Sequence, residues 1–320
     1  MNKTAAKERR GVQSMSKIAF IYPGQGAQVC GMGKDFYEQT EIGKQVFDLA
    51  SNLLGFSVPE LCFTENDRLD ITEYTQAAMV TTSIAMTKVL EEKGIKPDVT
   101  AGLSLGEYCA LYAAGVMSAA DAIATVRQRG IFMQEEVPVG QGAMAAVLGL
   151  DAAAIENVLA DLEDVQIANY NCPGQIVISG KTAAVELACE KLKEAGAKRT
   201  VPLKVSGPFH SGMLLGAGEK LEKVLEQVEV HTPVVPYVAN VTADYVKEAD
   251  CVKPLLVKQV SSSVRWQQSM EMLLADGVDT FVEIGPGKTL AGFMKKINRT
   301  VKVLNIEKLE DIEKAVKEFL

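Results

Sequence analysis

A serine stands between two glycines in Gly102-Leu103-Ser104-Leu105-Gly106-Glu107, the spacing of a nucleophile elbow, where a serine on a sharp strand-to-helix turn attacks a carbonyl. Chemistry of this kind is acyl transfer through a covalent serine ester. Glycines two before and two after the serine let the strand and the helix approach closely. Read on its own, the pattern also fits a turn serine that caps a helix. His210, in Ser206-Gly207-Pro208-Phe209-His210-Ser211, is a candidate base, because imidazole titrates near neutrality. The other histidine, His231, stands in Val230-His231-Thr232-Pro233 and reads as structural. Arg127 and Arg129 border the apolar stripe of Ile123, Val126 and Met133 on opposite sides, and helical periodicity leaves open which one faces inward. A buried arginine would need a carboxylate, and so would make a clamp for an acidic acyl group.

The elements that must carry these residues follow from patterning. Lys17 to Tyr22 is an apolar strand that ends at the turn Pro23-Gly24-Gln25-Gly26. Helices are expected over Lys34 to Leu54 and Thr75 to Lys93, a short strand over Pro97 to Ala101, and a helix from Glu107 that Gly115 ends. Ser118 with Asp121 opens a further helix. Strands and helices then run over 143–150, 151–162, 165–170, 175–179, 181–195 and 198–205, in the order β-α-β-β-α-β of a ferredoxin-like unit. Strands over Pro233 to Val241 and Thr280 to Ile284, with a helix over Ser262 to Asp276, resume the first pattern. The expected fold is α/β: a hydrolase-like, mainly parallel sheet domain over 15–137 and 207–320, with an inserted ferredoxin-like small domain over 138–206. Residues 1–14 are polar and basic and read as a disordered N-terminal extension.

Composition narrows the function classes. The chain has 320 residues, 48% of them hydrophobic, and a net charge of −8 that opposes nucleic-acid binding through a general basic surface. Its six cysteines form no C-x-x-C pair and there are two histidines, so neither a disulfide framework nor a metal centre is indicated. With no signal-peptide pattern and no membrane-length apolar run, a cytoplasmic protein is expected. Gly24-Gln25-Gly26 lacks the third glycine of a dinucleotide fingerprint, because Val29 stands in its place. Gly285-Pro286-Gly287-Lys288-Thr289 lacks the first glycine of a P-loop, Val282 being there instead, and reads as a tight turn that opens a helix.

Taken together, these segments resemble the malonyl-CoA:acyl carrier protein transacylase family of fatty-acid synthesis from about Ser16 to about Ile297. The matching blocks are Tyr22 to Gln28, Gly102 to Tyr108, Arg129 to Gln134, Asn169 to Gln175, Gly207 to Ser211, Val238 to Thr242 and Glu283 to Gly287. The resemblance implies Ser104 as nucleophile, His210 as its base, Arg129 as partner of the malonyl carboxylate, and an oxyanion hole from the backbone N–H groups of Gln25 and Leu105. It implies that a main-chain carbonyl beside Trp266, that of Arg265, orients the histidine. Phe209 agrees with a malonyl-selective pattern, and Leu103 departs from the histidine the family commonly carries there. Malonyl-CoA is then the substrate, no cofactor is permanently bound, and the partner is an acidic holo acyl carrier protein. A monomer is expected, with no nucleic acid and no membrane involved. Arg199, Lys198 and Asn169 are candidate contacts for CoA or the carrier, beside Lys191, Lys193, Lys295, Lys296 and Arg299. Two rivals remain at this point: an esterase or thioesterase with an acidic triad member such as Asp151 or Asp164, and a noncatalytic scaffold that binds CoA or the carrier.

Overall fold

A computed structural model describes residues 16–320, and the expected extension over 1–14 lies outside the described residues. Strand β1 (Ile18–Tyr22) leads through the Pro23 turn into helices α1 (Lys34–Gln39), α2 (Glu41–Leu54), α3 (Val58–Phe63) and α4 (Thr72–Glu92). The helix expected over Lys34 to Leu54 is thus two helices. Thr40 leaves helical space at φ −132° and its hydroxyl caps α2 by accepting from Gly43 N–H, so the second helix starts afresh. Strand β2 (Val99–Gly102), the Ser104 turn and α5 (Gly106–Ala113) follow, then α6 (Ala119–Glu135), capped by Ser118 as expected.

The next six elements are β3 (Gly142–Leu148), α7 (Ala152–Leu159), β4 (Val165–Cys172), β5 (Gln175–Lys181), α8 (Thr182–Glu194) and β6 (Arg199–Pro202). The chain returns through α9 (Leu215–Glu226), β7 (Tyr237–Ala239), β8 (Asp244–Val246), α10 (Val252–Ser261), α11 (Trp266–Ala275), β9 (Thr280–Ile284), α12 (Thr289–Ile297), β10 (Lys302–Ile306) and α13 (Leu309–Phe319). One strand and one helix are shorter than patterning suggested. Pro233 and Pro236 cannot donate to a ladder, so β7 begins only at Tyr237. The helix expected over Ser262 to Asp276 starts at Trp266, because Val264 is engaged in a β-bridge with Asn169.

The larger sheet has the order β10-β9-β1-β2-β7-β8, parallel except for β8. Side chains of β1 alternate across it: Phe20 and Tyr22 enter the larger apolar layer beside α2, α4 and α5, while Ala19 and Ile21 pack with Val99, Val238, Trp266 and Phe281 on the other side. A parallel sheet covered on both faces explains why these strands read as continuous apolar runs. The smaller sheet, order β4-β5-β3-β6, is antiparallel and packs Val147, Ile167, Ile176 and Ile178 against α7 and α8. The architecture is α/β with a mainly parallel sheet and a ferredoxin-like second unit.

The elbow is built by close approach of backbone to backbone. A Cβ on Gly102 would lie 2.0 Å from the carbonyl of Gly106, and one on Gly106 would lie 2.4 Å from the Tyr22 carbonyl oxygen. Neither neighbour is a side chain that could turn away. Gly102→Ala is therefore expected to cost about 3 kcal/mol of stability by overpacking. Urea unfolding measures it, and a change below about 0.5 kcal/mol, the range of ordinary surface substitutions, would contradict this account.

Candidate active site

Ser104 lies between the end of β2 and the first turn of α5 with φ 53°, a left-handed conformation that costs a residue with a side chain on the order of 1–3 kcal/mol. His210 also has a positive φ, 57°, so two of the four such non-glycine residues among the described residues meet at one point. Ser104 Oγ is 2.7 Å from His210 Nε2, and His210 Nδ1 is 2.8 Å from the carbonyl oxygen of Gln259. With Nδ1–H donating to that carbonyl, Nε2 is left as an acceptor for the serine hydroxyl proton.

The orienting carbonyl is a correction to the sequence reading, which placed it at Arg265. The Arg265 carbonyl instead accepts from Ser269 N–H and Ser269 Oγ, and so opens α11. Gln259 lies in the last turn of α10, where carbonyls have no intrahelical partner and are free to accept from outside.

Arg129 rather than Arg127 faces inward. Arg127 pairs with Glu73 at 2.6 Å and stacks over Tyr74. Arg129 is 1% exposed, and its three hydrogen bonds all go to neutral oxygens: Nη1 to Gln76 Oε1 at 2.6 Å, and Nη2 to Ser104 Oγ at 3.1 Å and Gln259 Oε1 at 3.0 Å. Its Nε has no partner. Nε and Nη2 form one edge of the guanidinium, the edge that grips a carboxylate with two parallel bonds. This edge therefore carries an unused donor beside Ser104 Oγ.

A polar layer beneath the serine was missed by sequence reasoning. Asn240 Oδ1 accepts from Ser104 N–H at 2.7 Å, and its Nδ2 donates to Gly102 C=O at 2.6 Å. Gln259 Nε2 donates to Ser104 C=O at 3.0 Å and to Glu107 Oε2 at 2.7 Å. Gln259 thus touches Ser104, His210 and Arg129 at once. Gln259 is the one polar residue among those α10 buries, whereas Gln76 is one of several polar residues buried on α4, beside Thr72, Thr75, Thr81, Thr82, Ser83 and Thr87.

Burial sets the electrostatics. Desolvation, with the nearby Arg129 charge adding to it, pushes His210 down to about 4, against the bonds to the Gln259 and Ser262 backbone, which favour the charged ring. Glu107 is pushed up to about 7 by desolvation, opposed by its bonds to Gln259 and Asn240 and by Arg129. Arg129 itself is lowered by desolvation and held up by Tyr108 and Glu107. A general base must be neutral to take a proton, and the lowered pKa keeps His210 neutral further into acid. Serine acylation is accordingly expected to hold its rate from neutrality to about pH 5 and to fall tenfold per unit only below about pH 4. A pH profile of kcat/KM that falls already through pH 6.5, the ordinary imidazole value, would contradict this.

The remaining candidates divide. Gly24 presses on the elbow, since a Cβ there would lie 2.8 Å from the Leu103 carbonyl oxygen, and this brings the Gln25 turn alongside Ser104. Among the described residues the backbone N–H groups of Gln25 and Leu105 donate to no protein acceptor. Leu103 points into the apolar layer with Ala101, Val238, Cys172 and Trp266, which accounts for an apolar residue before the nucleophile. Phe209 is 6% exposed. Asn169 lies on β4 beside Val264. Arg199 and Lys198 are exposed at β6, the edge of the small sheet opposite β4, and are not brought together with the serine. His231 is a surface side chain. Asp151 caps α7 and Asp164 pairs with Lys181, so neither serves as a triad acid. At the rejected P-loop, the Glu283 carboxylate occupies the N-terminus of α12 by accepting from Leu290 and Ala291 N–H, where a phosphate would have to bind. No group of three or more metal-ligating side chains occurs among the described residues, and no helix there is long and apolar enough to cross a membrane.

The sequence model of one family, described as "Acyl transferase domain", matches residues 19–316. The chain belongs to the acyl transferase family. Within it, the chain is 50% identical over 307 residues to the malonyl CoA-acyl carrier protein transacylase of Bacillus subtilis, covering 94% of this chain and 97% of that one. This acyl transferase is also similar in structure to the malonyl CoA-acyl carrier protein transacylase of Clostridium perfringens, with TM-score 0.91 and 43% identity, covering 95% and 97% of the two chains. A third similarity is to a malonyl-transacylase in complex with the holo acyl carrier protein of a type II PKS, with TM-score 0.92 and 38% identity, covering 95% of this chain and 100% of that one.

Proposed function

We infer that this acyl transferase moves a malonyl group from malonyl-CoA to the phosphopantetheine thiol of an acyl carrier protein, feeding fatty-acid synthesis, through a malonyl ester on Ser104. The observation that carries this reading is the buried Arg129 guanidinium, which donates to the nucleophile Oγ and keeps a free Nε beside it. A thioester whose acyl chain ends in a carboxylate would place that carboxylate on the guanidinium edge and its carbonyl carbon at Ser104 Oγ.

In the first half-reaction His210 Nε2 takes the hydroxyl proton as Oγ bonds to the thioester carbon. The oxyanion is held by the N–H groups of Leu105 and Gln25, since Ser104 N–H is already used by Asn240. The C–S bond breaks, the electron pair leaves with the CoA sulfur, and the imidazolium returns the proton to it. In the second half-reaction the carrier thiol gives its proton to His210 and attacks the malonyl ester, and Ser104 Oγ leaves with a proton. Arg129 also tunes the base. Its charge lowers His210 in the free enzyme, and a bound malonyl carboxylate would screen that charge and make the imidazole a stronger base when substrate is present.

Phe209 and the guanidinium together favour a malonyl over an apolar acyl group. Lys191, Lys193, Lys198 and Arg199 on the small unit, with Lys295, Lys296 and Arg299, are exposed cations suited to an acidic carrier and to CoA phosphates, with Asn169 nearer the cleft. A monomer suffices, because Ser104, His210 and Arg129 all come from one chain. The six cysteines stand free, which fits a cytoplasmic setting.

Intact mass after mixing with malonyl-CoA tests the reading. A malonyl adduct is expected on the wild type and absent from Ser104→Ala, and holo carrier protein should discharge it with gain of the same mass. Release of free malonate without a loaded carrier would instead make the chain a hydrolase, and no adduct at all would leave it a binding protein.

A further inference from the structure

His210 is held in left-handed backbone space, and something must keep it there. The groups that fix its ring, the Ser104 hydroxyl and the Gln259 main-chain carbonyl, act at the imidazole and not at the strained peptide. The peptide itself is gripped from the other sheet. Gln166, near the start of β4, donates from Nε2 to the His210 carbonyl at 3.1 Å and accepts at Oε1 from Gly212 N–H at 3.0 Å. Among the described residues these are the bonds made by that carbonyl and that N–H. One primary amide therefore spans the peptides on either side of Ser211 and closes the turn that carries His210.

The strand that supplies Gln166 is also tied to the segment following Gln259. Val264 N–H donates to Ala168 C=O at 2.8 Å, Tyr170 N–H to Val264 C=O at 2.9 Å, and Ser263 Oγ to Ile167 C=O. β4 is an edge strand whose outer backbone groups are free for this pairing. Its register against β5 shifts between Ile167 and Asn169, and a bulge of that kind re-aims neighbouring side chains. A single strand of the small sheet thus holds both segments that aim His210: the turn it sits on and the residues just beyond its orienting carbonyl.

We infer that Gln166 is a positioning residue for the His210 base, its amide clamping the His210–Gly212 turn so that the small sheet sets the direction of the imidazole. The inference rests on His210 being the general base of the reaction proposed above. Gln166 touches neither substrate nor reacting atoms, and its effect passes through the His210 backbone. A displacement of the imidazole by about 1 Å is enough to cost on the order of 10²-fold in rate.

The test uses Gln166→Met, which keeps the length of the side chain and removes both hydrogen bonds, with Gln166→Glu as a second variant that keeps the bond to Gly212 and loses the donor to His210. Single-turnover formation of the malonyl adduct is expected to slow about ten- to a hundredfold in kcat for Gln166→Met, with KM for malonyl-CoA within about threefold. The chain has only two histidines, so a histidine-labelled sample shows two imidazoles by nitrogen NMR. The His210 signals should move or broaden in either variant while those of surface His231 stay in place, which also reports that the fold is intact. An unchanged kcat overturns the inference. So does a slowed reaction with His210 signals unmoved, or a loss confined to KM. The NMR readout needs no turnover: if wild-type protein forms no malonyl ester, the functional reading falls, whereas the clamp is still judged by whether His210 responds to Gln166.

Discussion

His210→Ala is expected to slow formation of the malonyl-serine ester by on the order of 10³-fold while leaving KM for malonyl-CoA nearly unchanged. Removal of a positioned base loses proton abstraction in the transition state and little ground-state binding, and such groups contribute about 10²–10⁴-fold. The site offers no replacement. The other group bonded to Ser104 Oγ is Arg129, which is a donor; beneath it the amides of Gln259 and Asn240 do not take protons near neutrality, and the Glu107 carboxylate bonds to Gln259 and Asn240 rather than to the serine hydroxyl. His231→Ala is the control, because that ring is 59% exposed and lies 3.9 Å from Glu229, away from Ser104. Stopped-flow loss of malonyl-CoA in a single turnover measures both variants. A fall of less than tenfold in His210→Ala would mean that a different group takes the serine proton.

Arg129→Ala is expected to lower kcat/KM for malonyl-CoA by on the order of 10²-fold and to leave the slow use of acetyl-CoA equal or faster, so that the preference between the two collapses. A charge-assisted bond from a buried guanidinium to a carboxylate contributes about 1.5–3 kcal/mol, and an acetyl group leaves that contribution unrealised. Two effects add in the same direction for acetyl. The buried charge that depresses His210 is gone, and Ser104 Oγ loses a donor that competes with its role as nucleophile. Arg129→Lys should recover only part of the malonyl rate. A lysine is a point charge without the two-donor edge, and the acceptors Gln76 Oε1 and Gln259 Oε1 were placed for a planar fork. The ratio of the two substrates in one competition assay reads the outcome. A malonyl preference that survives in Arg129→Ala would move the carboxylate away from this residue.

The fold was legible where local rules decide it. The β-α-β-β-α-β run, the Ser118 cap and the Thr280 to Ile284 strand follow from alternation, capping chemistry and short apolar runs. Legibility failed where one residue overrode the pattern. Thr40 broke a continuous amphipathic stretch, two prolines shortened β7, and the Val264 bridge delayed α11. At the site, glycine spacing picked out Ser104 as an elbow candidate with a helix-capping turn as the alternative; a Cβ on Gly102 would meet the nearby Gly106, whereas one on Gly106 would meet Tyr22 and Pro23, which only the tertiary structure brings there.

The candidate reacting groups were thus set by sequence: a serine at an expected elbow, one histidine in a loop motif, and two arginines on the borders of a helix stripe. Their arrangement was not. Which arginine turns inward depends on Glu73 and Tyr74 capturing Arg127, residues a whole helix away in the chain. The carbonyl that orients His210 belongs to Gln259 and not to Arg265, because α10 ends against the imidazole while α11 uses its own first carbonyl to begin. Gln76, Gln166, Asn240 and Gln259 were invisible as functional residues because a neutral amide carries no distinctive spacing. An amide matters here only through the two or three atoms it meets, and those come from segments that only tertiary packing brings within 3 Å.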